Sequence, residues 1–151
     1  MQEHIRQSNL IENIDDPKED AQSMVAWEYI SKQDHIGIPE LLETHRLITK
    51  NQLNKNHAGH FRKVPVWIGG YKLMPTPFMA EQLVYNLLVD LIQRPEEIDP
   101  IVGHIRFEHA HPFIDGNGRT GRMLMWWHEL KIKRKPTLIE FDKRQDYYKW
   151  F

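Results

Sequence analysis

Two short pairs, Thr76-Pro77 and Asp99-Pro100, each stand directly before a stretch whose apolar residues recur at three- and four-residue intervals. A capping side chain followed by proline is a helix start, because proline lacks the N–H that the first turn leaves unpaired anyway. After the first pair, Leu83, Leu87, Leu88 and Leu91 share one face until Arg94-Pro95 ends the pattern. Around the second, Ile98, Ile101, Val102 and Ile105 lie at i, i+3, i+4, i+7 spacing. A further helix, from about Gly118 to Leu130, is expected to bury Met123, Trp126, Trp127 and Leu130. Upstream, the pattern predicts a helix over about 2–13, stopped by Asp15-Asp16-Pro17, and a second over about 20–32 with Met24, Val25, Trp27 and Tyr29 inward. A third follows Ile38-Pro39 and carries Leu41, Leu42, His45 and Ile48, while the polar stretch Lys50–His60 reads as a loop. Arg144–Phe151 reads as a closing helix.

One stretch breaks this period. Val64, Val66 and Ile68 alternate with Pro65 and Trp67, and Gly69-Gly70 permits a tight turn into Tyr71-Lys72-Leu73. That is a hairpin over about 62–74, with Pro65 placing its first strand at an edge. The expected fold class is mainly α, a helical bundle with one small β-hairpin. A single domain spanning 1–151 is the expected organisation.

Composition removes several function classes. The formal net charge is −1 and the chain has no cysteine. No global field favours direct binding of nucleic acid or an acidic membrane. Disulfides are excluded, which fits a reducing, cytoplasmic setting. Met1–Arg6 is polar, unlike a secretory leader, and no apolar run reaches the ~20 residues of a membrane helix.

The chemistry is concentrated between two predicted helices, in His111-Pro112-Phe113-Ile114-Asp115-Gly116-Asn117-Gly118-Arg119-Thr120-Gly121-Arg122. Glycines let the backbone N–H groups of 116–118 converge on an anion, and the N-terminus of the following helix adds its dipole. Arg119 and Arg122 share a face of the first turn, where cations oppose that dipole unless a polyphosphate lies in front of them. Asp115 beside the turn could hold Mg²⁺, which takes one or two carboxylates together with phosphate oxygens. His109 and His111 point to different sides of a helix and no third partner is evident, so a histidine metal site is not expected.

Taken singly, a Gly-Asn-Gly is usually just a turn. Jointly, the segment resembles the signature of the Fic family, H-x-F-x-[D/E]-G-N-G-R-x-x-R, with every fixed position matched; a chance match is on the order of one in 10¹⁰ per starting position. Members of that family are protein adenylyltransferases, which move AMP from ATP onto a Ser, Thr or Tyr hydroxyl of another protein. The resemblance implies that His111 is the general base and Asp115 the Mg²⁺ ligand. Gly116, Asn117 and Gly118 would form the anion cradle, with the Asn117 side chain at the α-phosphate and Arg119 and Arg122 on the outer phosphates. Thr120 and Gly121 fall within the same ATP-binding stretch. Phe113 would anchor the loop in the core. Gly59-His60-Phe61-Arg62 and the hairpin are similar to the family's flap, so Val66, Trp67, Ile68 and Gly69 are expected to cover the nucleotide and to align a protein substrate by strand addition. Arg144-Gln145-Asp146-Tyr147-Tyr148 is similar to a downstream element, making Tyr147 a candidate for the adenine pocket.

Ser8-Asn9-Leu10-Ile11-Glu12-Asn13 resembles the family's inhibitory element, [S/T]-x-x-x-E-[G/N]. Ser8 and Glu12 share a helix face, and the resemblance implies that Glu12 pairs with Arg122 and displaces the γ-phosphate. Two other readings stay open: removal of AMP from a modified protein, with Glu12 aligning water, and a nucleotide-binding interaction module without turnover. A homodimer that steadies the brake is compatible with the sequence.

Overall fold

The computed structural model describes residues 1–70 and 72–151. Among the described residues the chain forms seven α-helices and one two-stranded antiparallel sheet. The helices are α1 (Gln2–Ile11), α2 (Pro17–Ile30), α3 (Ile38–Thr49), α4 (Pro77–Gln93), α5 (Pro100–Ala110), α6 (Asn117–Lys131) and α7 (Arg144–Tyr148). The start signals act as capping chemistry requires. Thr76 accepts from the Met79 N–H at 3.3 Å and Asp99 from the Ile101 N–H at 2.9 Å. Helix α1 ends at Ile11, with Asn13 already at φ 59°, so the Asp15-Asp16-Pro17 cluster does not stop it as expected but opens the next helix. Asp16 accepts from the Lys18 N–H at 2.8 Å with Pro17 in the first turn, so the cluster starts α2 three residues earlier than expected.

Helix α6 is the axis of the bundle. It packs against α1, α2, α3 and α5, and every residue from Arg119 to Glu129 is buried. A helix buried all round carries no single apolar stripe, which is why spacing alone misplaced Leu130, exposed at its C-terminal end. Val25, Leu83 and Val102 are likewise exposed rather than inward. In α4 the buried face is Ala80, Val84, Leu87, Leu88 and Leu91. In α5 it is Gly103, His104, Phe107 and Ala110 rather than the row of β-branched residues. Close approach decides that phase. A Cβ on Gly121 would lie 2.8 Å from Glu108 Oε1, His104 Nδ1 and Phe107 Cδ1, so these α5 side chains pack against α6 in a notch that only a residue without a Cβ leaves open.

The hairpin pairs β1 (Trp67–Ile68) with β2 (Lys72–Leu73), in the register Trp67 to Leu73 and Ile68 to Lys72. It is shorter than its alternation suggested; Pro65 has no N–H to extend the ladder. Tyr71, expected in the second strand, lies outside the described residues. Trp67, Ile68 and Leu73 are exposed. No helix among the described residues is long and apolar enough to cross a membrane.

Candidate active site

His111 follows α5 in the left-handed region, at φ 47° and ψ 60°, with its N–H still bonded to the Phe107 carbonyl at 3.0 Å. A residue with a Cβ adopts that conformation only when its surroundings impose it. The loop after it is pinned from within. Asn117 Oδ1 accepts from the Phe113 N–H at 2.9 Å, and Asn117 Nδ2 donates to the Phe113 carbonyl at 3.0 Å. Phe113 is fully buried, stacked on His45 with ring centroids 3.7 Å apart.

His45 is itself a strut. Its Nδ1 accepts from the Gly59 N–H at 2.9 Å, so the ring proton sits on Nε2, which donates to the Asp115 carbonyl at 2.9 Å. Those two bonds need the neutral ring, and burial pushes its pKa down to about 4. The Asp115 carboxylate is exposed, and its Oδ1 accepts from the Gly116 N–H at 2.6 Å.

Gly116 caps α6 at φ 78°. The first backbone bond into the helix is Thr120 N–H to the Gly116 carbonyl, which leaves the N–H groups of 117–119 without intrahelical partners. Of these residues, Asn117 and Gly118 line a cavity of about 580 Å³, within the range of small-molecule sites. His111, Asp115, Gly116, Asn117, Gly118, Glu12, Ile68 and Tyr147 all line it. Of the expected site residues, these are the ones brought together around the cavity.

The others stand elsewhere. The Asn117 side chain, expected at the α-phosphate, is bonded through both Oδ1 and Nδ2 to the Phe113 backbone. Thr120 is fully buried with its hydroxyl on the Gly116 carbonyl, and Gly121 is closed off by α5; both expected nucleotide contacts are corrected to structural ones. Val66, Trp67 and Gly69 lie off the cavity wall, where Ile68, Lys72 and Met74 represent the flap. Arg119, expected on the outer phosphates, is 2% exposed. Its Nη2 donates to Gln52 Oε1 at 2.6 Å, while its Nε and Nη1 have no partner among the described residues.

Arg122 is fully buried inside a cage. Nε donates to Ser8 Oγ at 2.8 Å, Nη2 to the Ser8 carbonyl at 3.0 Å and to Glu12 Oε1 at 2.7 Å, and Nη1 to the Tyr147 hydroxyl at 2.8 Å. Burial opposes its charge, but Tyr147, Glu12 and Glu108 hold its pKa above the ordinary value. Gly118 makes room for this arrangement, because a Cβ there would collide with Glu12 Oε1. The Tyr147 hydroxyl also stands 2.9 Å from His104 Nε2.

Sequence reasoning passed over Glu108. It lies one turn before His111 on the cavity wall, its Oε1 sealed from solvent without a partner among the described residues. Burial raises its pKa to about 8, against the pull of Arg122. The i−3 offset from His111 was the available signal. The His111 ring is shifted the other way. Burial first and the Arg62 charge second lower its pKa, opposed by the Glu108 carbonyl and by Glu12 and Asp115. Neutral imidazole is therefore its resting form at pH 7, with Nδ1 buried and unpartnered among the described residues. No group of three metal-binding side chains occurs among the described residues. One exposed carboxylate beside a helix N-terminus fits Mg²⁺ brought in with phosphate oxygens and water.

A family profile described as Fic/DOC matches residues 35–128. The chain belongs to the Fic/DOC family. This Fic/DOC chain is 32% identical over 127 residues to the protein adenylyltransferase Fic of Nematostella vectensis, covering 80% of this chain and 29% of that one. It is 32% identical over 126 residues to the protein adenylyltransferase fic-1 of Caenorhabditis elegans, covering 79% and 24%. A solved Fic family protein from Desulfovibrio desulfuricans G20 superposes with a TM-score of 0.78 at 24% identity, over 98% of this chain and 55% of that one, which supports the fold. The chain spans less than a third of the length of the curated relatives it matches.

Proposed function

We propose that the chain is a protein adenylyltransferase held in check by its own N-terminal helix. The observation that carries the reading is the convergence on one cavity of a neutral His111, the Asp115 carboxylate and the unpaired N–H groups that begin α6. The helix end holds the phosphates by backbone donors and dipole. The target hydroxyl gives its proton to the His111 imidazole as its oxygen bonds to the α-phosphorus. The bond from that phosphorus to the bridging oxygen breaks, and pyrophosphate leaves with the electron pair. Asp115 would hold Mg²⁺, whose charge neutralises the α- and β-phosphates. The exposed edge around Ile68 and Leu73 would receive the target segment as an added strand.

The Arg122–Glu12 pair is the brake in this reading: an arginine suited to a γ-phosphate is already bonded to a carboxylate. The position of Glu12 on the cavity wall also favours a second reading, in which it aligns water to remove AMP. Intact-mass analysis of Glu12→Gly with Mg·ATP and a candidate target tests the first. Addition of one AMP to either protein supports it. A loss of activity in Glu12→Gly on an AMP-modified substrate supports the second.

A further inference from the structure

We infer that Arg62 is a positioning residue that locks the backbone of His111 and both legs of the flap into one unit; the inference rests on the adenylyltransferase reading. Arg62 lies 49 residues from His111 in sequence and is 2% exposed. Its Nε donates to the His111 carbonyl at 2.7 Å, and its backbone N–H donates to the Pro112 carbonyl at 2.9 Å. Its Nη1 donates to the Val64 carbonyl at 2.9 Å, and its Nη2 donates to the Pro75 carbonyl. Val64 precedes β1 and Pro75 follows β2, so one planar fork grips the hairpin at both ends while a third nitrogen holds the backbone carbonyl of His111. Among the described residues no carboxylate pairs with Arg62, and every acceptor named here is a backbone carbonyl.

A buried cation without a counter-ion is expensive, and this one has two effects at the site. It supplies the bonds that hold His111 in a left-handed conformation unusual for a residue with a Cβ. It also places positive charge beside the imidazole, favouring the neutral form that accepts a proton. The other groups facing that ring are Glu108 from α5, Glu12 after α1 and Asp115 from the loop. Lysine could keep the charge but not the fork, since its ammonium is a point donor.

The test uses Arg62→Lys and Arg62→Gln in the Glu12→Gly background. Both should lower kcat for AMP transfer on the order of 10²-fold, the scale of a misplaced catalytic group, with KM for Mg·ATP little changed. Arg62→Gln alone should also move the acid limb of the pH–rate profile to higher pH. A purely structural role would lower Tm and leave that limb in place. Kinetics of Arg62→Gln matching the parent would overturn the inference. If Glu12→Gly itself transfers no AMP, the adenylyltransferase reading fails instead, and two measurements without turnover still decide the role of Arg62. The His111 ring, followed by NMR, should titrate at higher pH in Arg62→Gln. In the unmutated chain, the Arg62 Nε–H should be protected from solvent exchange. A freely exchanging Nε–H refutes the lock even if neither variant folds.

Discussion

Glu12→Gly removes the carboxylate that, alone among the described residues, pairs with Arg122 and leaves its other three bonds, to Ser8 Oγ, the Ser8 carbonyl and the Tyr147 hydroxyl. The backbone should tolerate the change, because Glu12 sits at the C-cap of α1 with φ −89° and ψ 14°, which glycine adopts freely. Helix α1 stays anchored by the buried Ile5 and Ile11 and by the Tyr148 hydroxyl on the Ile11 carbonyl. The pair is asymmetric, with the Arg122 side chain 0% and the Glu12 side chain 36% exposed. Exposed pairs contribute roughly 0.2–1 kcal/mol and charged buried hydrogen bonds about 1.5–3, so a pair of this mixed character should stabilise by about 1–2 kcal/mol. On the proposed reading a γ-phosphate would compete for the same guanidinium, so the substitution should tighten ATP binding roughly 5–30-fold. ADP, which offers no γ-phosphate, should gain much less. Calorimetric titration with ATP and ADP in a His111→Ala background measures this without turnover, and labelled-AMP transfer reads the activity gain directly. Removing the carboxylate also strands a buried cation. Glu12→Gly should therefore melt lower than wild type without nucleotide and recover with Mg·ATP. Equal gains for ATP and ADP, or equal AMP transfer by wild type and Glu12→Gly, would refute the competition argument.

The remaining predictions concern the base, the helix crossing and pH. His111→Ala should abolish AMP transfer while ATP affinity, measured by calorimetry, stays close to that of the parent. Gly121→Ala forces a methyl against Glu108, His104 and Phe107. It should destabilise by about 1–3 kcal/mol, read as a Tm drop of several degrees in a thermal scan. Stability should peak near pH 6.5 and fall on both sides. His45 and His104 keep folded pKa values of about 4 and about 3, below the ordinary 6.5. Under acid the unfolded chain therefore binds protons that the native state refuses, and stability falls below pH 6.5. Glu108 runs the other way, with a folded pKa near 8 above the ordinary 4.5. The native state then holds a proton the unfolded chain has lost, and stability falls as pH rises towards 8. Tm measured from pH 5 to 8.5 checks both limbs. Glu108→Gln should flatten the alkaline one, and a Tm that climbs steadily through pH 8 would contradict the buried carboxyl.

Local rules and long-range placement were legible in the sequence to different degrees. Capping is a matter of adjacent residues, so Thr76-Pro77 and Asp99-Pro100 could be read directly, and the turn-and-helix geometry of 111–122 followed from its glycines. Which face of α5 turns inward could not be read in the same way. Periodicity weighs hydrophobicity, whereas this crossing is chosen by how closely α5 side chains can pack at Gly121, and the inward row is Gly103, His104 and Phe107 rather than the isoleucines. The two arginines extend the point. Adjacent in one helical turn, they look interchangeable as phosphate ligands. The fold separates them, one to Gln52 at the end of the α3 region and one to Ser8 and Glu12 at the chain start. No spacing rule reaches over the 110 residues between Glu12 and Arg122. What makes their meeting physically reasonable is burial itself. A guanidinium sealed in the axis of a helical bundle must find oxygen acceptors and preferably an anion. Here Glu12, on the cavity wall, supplies that anion, and in the proposed brake a triphosphate would take its place. The same demand that pairs Arg122 with Glu12 would, in the proposed reading, suit it to a γ-phosphate. The proposed brake thus reduces to exchange of one anionic partner for another at a single buried cation.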